Sequence, residues 1–225
     1  MTQTSWKPGP ARPRLDAETV DVWRVALDGA PADGPLSAAE RERAARFVSD
    51  QDGVRWTTAR TALRQLLGGY LGVPPDALRF AEGPHGKPVL AAPVSVDVRF
   101  NLSHSGDTAL IAVAQAREVG VDVELSRRAV DHVAIARRVL EPAAAERIAA
   151  LDDPREREQA FLRAWVRWEA ALKCRGTGIG GAAAPAIGPE PWVVDLDVEP
   201  PGAAALAVEQ GPIAVRTWRW PPAQS

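Results

Sequence analysis

The sequence predicts an α+β protein of two pseudo-symmetric α/β subdomains with a cleft between them. Both halves of the chain contain β-branched runs of strand length and helical stretches with apolar residues at three and four. The halves also echo each other: Gly106 to Val113 reads G-D-T-A-L-I-A-V, Gly202 to Val208 reads G-A-A-A-L-A-V, and each follows a helix-rich stretch. Apolar alternation alone can produce such an echo. At 225 residues the chain can bury a substantial core. We expect a flexible N-terminal arm at 1–17, an N-terminal subdomain at 18–115 and a C-terminal one at 116–225.

The arm is rich in Pro, Lys and Arg and lacks periodicity. Val20, Val22 and Val25 with Trp23 mark a strand over 19–27, and Gly29, Pro31, Gly34 and Pro35 mark the loop after it. Ser37 with Glu40 three residues on is a capping box, which starts a helix expected to reach 48. A second helix, expected over 53–71, carries Leu63, Leu66 and Leu67 on its apolar stripe and stops at Gly72 before two prolines. A short strand at 79–81 leads to a tight turn, Gly83 to Pro88, that confines Lys87. Strands follow at 96–102, 108–114 and 119–124. Ile135, Val139 and Leu140 fit one short helix, and Pro142 opens another. A long helix runs from Pro154 through Lys173, and Gly176, Gly178, Gly180 and Gly181 end it and open a flexible segment. Strands at 192–198, 203–208 and 213–220 complete the chain.

Net charge of −2 lacks the basic excess that phosphate backbones require, so no nucleic-acid partner is expected. No apolar run is long enough to span a bilayer, and the single cysteine, Cys174, excludes an internal disulfide. With no charged-then-apolar leader, a cytoplasmic protein is expected, and the fusion of two halves in one chain points to a monomer. Of 27 basic residues only Lys7, Lys87 and Lys173 are lysine, which suggests positions where a compact ammonium does what a planar guanidinium cannot.

Asp122 and Glu124 alternate with Val121 and Val123, so on a strand both carboxylates face one way. Such a pair is either a solvated edge or a site for a hard cation such as magnesium. Glu169 and Lys173, four apart on the long helix, either form a surface ion pair or act on one ligand. Six arginines between Arg41 and Arg64, Arg43 and Arg60 among them, form either a solvated face or a grip on a phosphorylated ligand.

The block Phe100, Asn101, Leu102, Ser103, His104, Ser105, Gly106, the Gly120 to Glu124 run, the segment Trp165 to Lys173 with Gly176, and the turn Gly86, Lys87, Pro88 resemble the 4'-phosphopantetheinyl transferases of the surfactin-synthetase type. The resemblance covers about residues 19–220, with four motifs in the family's order. It implies the fold of that family and a magnesium-dependent transfer of 4'-phosphopantetheine from coenzyme A to a serine of an acyl, peptidyl or aryl carrier domain, releasing adenosine 3',5'-bisphosphate. Carried over by position, Asp122, Glu124 and Glu169 hold the metal, Glu169 is the base for the carrier serine, and Lys173 steadies the departing phosphate. Arg43, Arg60, Lys87, Ser103 and His104 match positions that bind the nucleotide and its phosphates. His104 is equally readable as a structural hydrogen-bonder, and Cys174 as a small packed residue.

The chemistry asks for the same residue types. Attack on a pyrophosphate phosphorus depends on positioning and charge neutralisation, and a serine hydroxyl needs a base. Two positions depart from the family pattern: Trp168 stands where a lysine is usual before Glu169, and Ala144 where a glutamate is common. A homologue that binds coenzyme A or carriers with reduced or lost turnover is therefore the alternative. A metal-dependent nuclease built on Asp122 and Glu124 is disfavoured by the acidic balance.

Overall fold

The structure is a computed structural model that describes residues 5–28, 34–83, 86–91, 97–125, 130–177, 189–199 and 202–221. Pro84 and His85 of the expected turn and Gly178, Gly180 and Gly181 of the expected flexible segment lie outside the described residues.

Strand β1 (Lys7–Pro8) is followed by β2 (Thr19–Ala26), helices α1 (Ala38–Ala44) and α2 (Asp50–Leu71), and a small hairpin of β3 (Phe80–Glu82) and β4 (Pro88–Leu90). The capping box is formed: the Glu40 N–H donates to Ser37 Oγ, and the Ser37 N–H donates to the Glu40 carboxylate. Helix α1 ends before 48, and α2 begins before 53. The reason is Ser49, whose hydroxyl caps α2 from the Asp52 N–H and puts two acids in the positive first turn.

Strands β5 (Val98–Ser105) and β6 (Thr108–Gln115) form a hairpin closed at Gly106, whose φ of +55° lies in the left-handed region. Strand β7 (Val119–Leu125) leads to α3 (His132–Val139), α4 (Pro142–Ala149) and the long α5 (Pro154–Arg175). The chain closes with β8 (Trp192–Leu196), β9 (Gly202–Val208) and β10 (Ala214–Trp220).

The two main sheets are ordered β1-β10-β2-β6-β5 and β7-β9-β8. Alternation along β6 places Ala109, Ile111 and Val113 against α2 and Leu110, Ala112 and Ala114 against the second sheet. Along β9, Ala204, Leu206 and Val208 face the first sheet while Ala203, Ala205 and Ala207 face α5. The result is four layers, helix, sheet, sheet, helix, with a core in each gap. β6 and β9, the strands of the echo, are each buried on both faces, and α2 and α5, 22 residues each, cover them from outside.

The N-terminal segment corrects the expectation of a flexible arm from residue 5 onward. Trp6 is buried, its Nε1 donates to the Asp197 carbonyl at 2.6 Å, and β1 pairs in parallel with β10. Composition pointed to fraying, but one aromatic anchor holds the segment, and Pro8 sits on an edge strand where a missing N–H is harmless. A division at 115/116 likewise follows the helices but not the sheets, because β10 returns to pair in parallel with β2. No helix among the described residues is long and apolar enough to cross a membrane.

Candidate active site

Strand β7 is an edge strand of its sheet, so one row of its backbone groups has no strand partner. Side chains of β5 accept from two N–H groups of that row, and Lys87 and Lys173 donate to two of its carbonyls. Asn101, Ser103 and Ser105 share one face of β5; Asn101 Oδ1 accepts from the Val121 N–H at 2.9 Å and Ser105 Oγ accepts from the Leu125 N–H at 3.1 Å. The same face holds the two acids. Ser103 Oγ donates to Asp122 Oδ1 at 2.7 Å, and Ser105 Oγ donates to Glu124 Oε2 at 2.8 Å.

Helix α5 closes the other side. It lies against β7 at Gly120, where a Cβ would meet the Ala170 carbonyl oxygen at 2.1 Å and the Cys174 nitrogen at 2.4 Å. Only glycine permits that approach, which brings Glu169 and Lys173 beside Asp122. Lys173 Nζ donates to Asp122 Oδ1 at 2.6 Å and to Ser103 Oγ at 3.0 Å. The surface-pair reading of Glu169 and Lys173 therefore gives way: Lys173 turns inward to Asp122, and Glu169 is buried.

Asp122, Glu124, Glu169, Lys173, Ser103 and His104 line one cavity of about 360 Å³, with Leu102 and Trp165 as its apolar wall. Burial pushes the Glu169 carboxyl above its ordinary range; Lys173 opposes the shift, and the charges of Asp122 and Glu124 add to it. Asp122 Oδ2 and Glu169 Oε1 are buried and accept no hydrogen bond from the described residues. Leaving two carboxylate oxygens unsatisfied is costly, and a cation or its bound waters would satisfy both. The acids fit a hard cation in chemistry, yet no group of three or more His, Cys, Asp or Glu among the described residues forms a coordinating cluster in the present rotamers.

The other expected residues lie elsewhere. Lys87 lines a separate recess of about 160 Å³ and donates to Glu118 Oε2 at 2.8 Å and to the carbonyls of Val119 and Lys173, both at 3.1 Å. Arg60 donates to Glu40 and stacks 4.0 Å above the Phe80 ring, while Arg43 lies 5.5 Å over Trp56. Neither arginine lines the acidic cavity. Arg167, next to Trp168, pairs with Asp195 at 2.8 Å, and Glu146, near Ala144, pairs with Arg137 at 3.0 Å. Neither neighbour replaces the departed family residue. Sequence reasoning missed Asn101 and Ser105 as site-builders; their period-two spacing with Ser103 was the available signal.

Two family models match the chain: the N-terminal domain of 4'-phosphopantetheinyl transferases over residues 32–116, and the 4'-phosphopantetheinyl transferase superfamily over residues 118–223. The 4'-phosphopantetheinyl transferase HetI of Nostoc sp. is 37% identical over 185 residues, which covers 80% of this chain and 78% of that protein. The slr0495 protein of Synechocystis sp. is 35% identical over 146 residues, 65% of this chain and 59% of its own length. The L-aminoadipate-semialdehyde dehydrogenase-phosphopantetheinyl transferase of mouse is 30% identical over 149 residues, and the chain spans about half of it, 48%. On both family models and the alignment with HetI over four-fifths of its length, the chain belongs to the 4'-phosphopantetheinyl transferase family.

Proposed function

We propose that the protein transfers 4'-phosphopantetheine from coenzyme A to a serine of an acyl, peptidyl or aryl carrier domain, with adenosine 3',5'-bisphosphate as the other product. The observation that supports this reading best is the convergence of Asp122, Glu124, Glu169 and Lys173 with Ser103 and His104 on one cavity. In the reaction, the serine oxygen forms a bond to the phosphorus that carries the pantetheine, and the bond from that phosphorus to the bridging oxygen breaks. Magnesium held by Asp122, Glu124 and Glu169 would supply Lewis-acid neutralisation of the pyrophosphate. Glu169, its proton affinity raised by burial, accepts the serine proton. Lys173 Nζ offsets the charge growing on the departing bisphosphate, and Ser103 and His104 contact the phosphates. Arg43 and Arg60 are assigned to the nucleotide end. Both family-matched halves are fused in one chain, which supports a monomer.

The test is to incubate the protein with coenzyme A, magnesium and a panel of apo carrier domains, then weigh the carriers. A phosphopantetheine mass gain on at least one carrier is expected. Coenzyme A binding without any gain would favour the second reading, a binding homologue with reduced or lost turnover. That reading draws on Trp168 and Ala144, whose polar neighbours Arg167 and Glu146 are engaged in other ion pairs.

A further inference from the structure

Lys87 is one of three lysines in the chain, and its ammonium already meets as many acceptors as it has hydrogens. Glu118 Oε2 lies at 2.8 Å, and the Val119 and Lys173 carbonyl oxygens both lie at 3.1 Å. Each acceptor has a structural meaning. The Val119 carbonyl belongs to the exposed row of the β7 edge. The Lys173 carbonyl lies in the last turn of α5, where it also accepts from the capping Gly176 N–H at 3.3 Å and where a cation complements the macrodipole. Glu118 is fixed in turn by Arg99, whose Nη1 donates to Glu118 Oε1 at 2.9 Å.

We propose that Lys87 is a positioning residue that clamps the C-terminal turn of α5 to the start of β7, and so sets the reach of Lys173 toward Asp122 and Ser103, rather than a contact to the nucleotide. The catalytic consequence rests on the transferase reading above; the clamp itself does not. Geometry explains why lysine serves here. Three acceptors drawn from a loop end, a strand edge and a helix end suit a tetrahedral ammonium, whereas a guanidinium offers its donors in one plane. Gly120 acts with the clamp, since its missing Cβ lets the end of α5 lie on β7, where Lys87, from the turn before β4, reaches the carbonyls of both elements.

Cys174 supplies a readout independent of activity. It is the single cysteine, it is buried beside Lys173, and its thiol donates to the Glu118 carbonyl at 3.3 Å. Labelling of Cys174 by a thiol reagent under native conditions therefore reports how often the end of α5 lifts from β7. Burial raises the Cys174 thiol to about 11, and Lys87 lowers it. Removing Lys87 would slow labelling through thiolate chemistry alone, so faster labelling can come only from opening.

In Lys87→Met the labelling rate should rise roughly tenfold or more, and kcat should fall about tenfold with coenzyme A affinity by calorimetry within about threefold of wild type. Lys87→Arg, which keeps the charge, should restore neither value fully. Glu118→Gln, which leaves Lys87 and the cavity residues in place, should raise the labelling rate by about threefold. An unchanged labelling rate in both Lys87→Met and Glu118→Gln overturns the clamp. So does a loss of coenzyme A affinity as large as the loss of turnover, or full recovery by Lys87→Arg. If the wild type modifies no carrier, the transferase reading fails while the labelling arm still decides the clamp.

Discussion

Glu169 carries the sharpest consequence at the scale of single residues. It is buried on α5, one of its oxygens accepts no hydrogen bond from the described residues, and burial, with the neighbouring carboxylates adding to it, presses its proton affinity upward. Glu169→Gln keeps the shape and removes the charge, so transfer should fall by about 10² or more while the circular dichroism spectrum and melting temperature stay near wild type. Turnover within a few-fold of wild type would take Glu169 out of the mechanism. Much at this scale was legible: period two put Asp122 and Glu124 on one face, and a four-residue helical spacing put Glu169 with Lys173. The partners of Arg60 and Lys87 were not. Glu40 lies 20 residues before Arg60, and Glu118 lies 31 after Lys87, and no local pattern links side chains across such gaps.

At the scale of elements, the capping box does more than start α1. Glu40 also accepts from Arg60 and, at 2.8 Å, from Arg64, which ties α1 to α2. Burial alone would raise the Glu40 carboxyl, but the Ser37 N–H and the two guanidinium groups together bring it down to about 2. A lowered carboxylate stabilises the fold above its unfolded value of 4.5, and that contribution is lost as pH falls through about 2. Glu40→Gln should therefore cost on the order of 2 kcal/mol by urea denaturation at pH 7, and the difference from wild type should shrink below 4.5 and vanish near 2. A pH-independent difference would remove ionised Glu40 from the account. Gly120→Ala tests the neighbouring contact: its Cβ would meet backbone atoms of α5, which cannot rotate away, so a loss of about 1–3 kcal/mol or more is expected. Wild-type stability would show that α5 need not lie on β7 at that point. Strand and helix existence was legible from period and caps. The ends of α1 and α2 were not, because Ser49 competes as a second cap and no preference for one cap over another shows in the residues between.

The whole molecule depends on one junction that the sequence does not show. Asp21, buried on β2, accepts from Tyr70 Oη at 2.5 Å, from Arg216 Nε at 2.6 Å and from Trp218 Nε1 at 2.9 Å. It thereby joins α2, β2 and the returning strand β10. Burial and the Asp21 charge hold the Tyr70 hydroxyl far above its ordinary range, so it stays a donor at every working pH. Asp21→Ala should cost about 1–3 kcal/mol by denaturant titration, since it leaves the Tyr70 hydroxyl and Trp218 Nε1 without their shared acceptor. A loss under 1 kcal/mol would mean that packing alone holds β10. The echo of two similar segments pointed to paired halves. The exchange of β10 into the first sheet is a long-range parallel pairing that no alternation pattern encodes. The most direct measurement of the central proposal, that Asp122, Glu124 and Glu169 would together hold one divalent cation, is a magnesium titration of carrier modification in the wild type, Asp122→Ala and Glu169→Gln. Cation-dependent transfer in the wild type is expected, with a midpoint at least about tenfold higher in Asp122→Ala and residual activity too low to titrate in Glu169→Gln. Superimposable titrations for all three proteins would contradict the account.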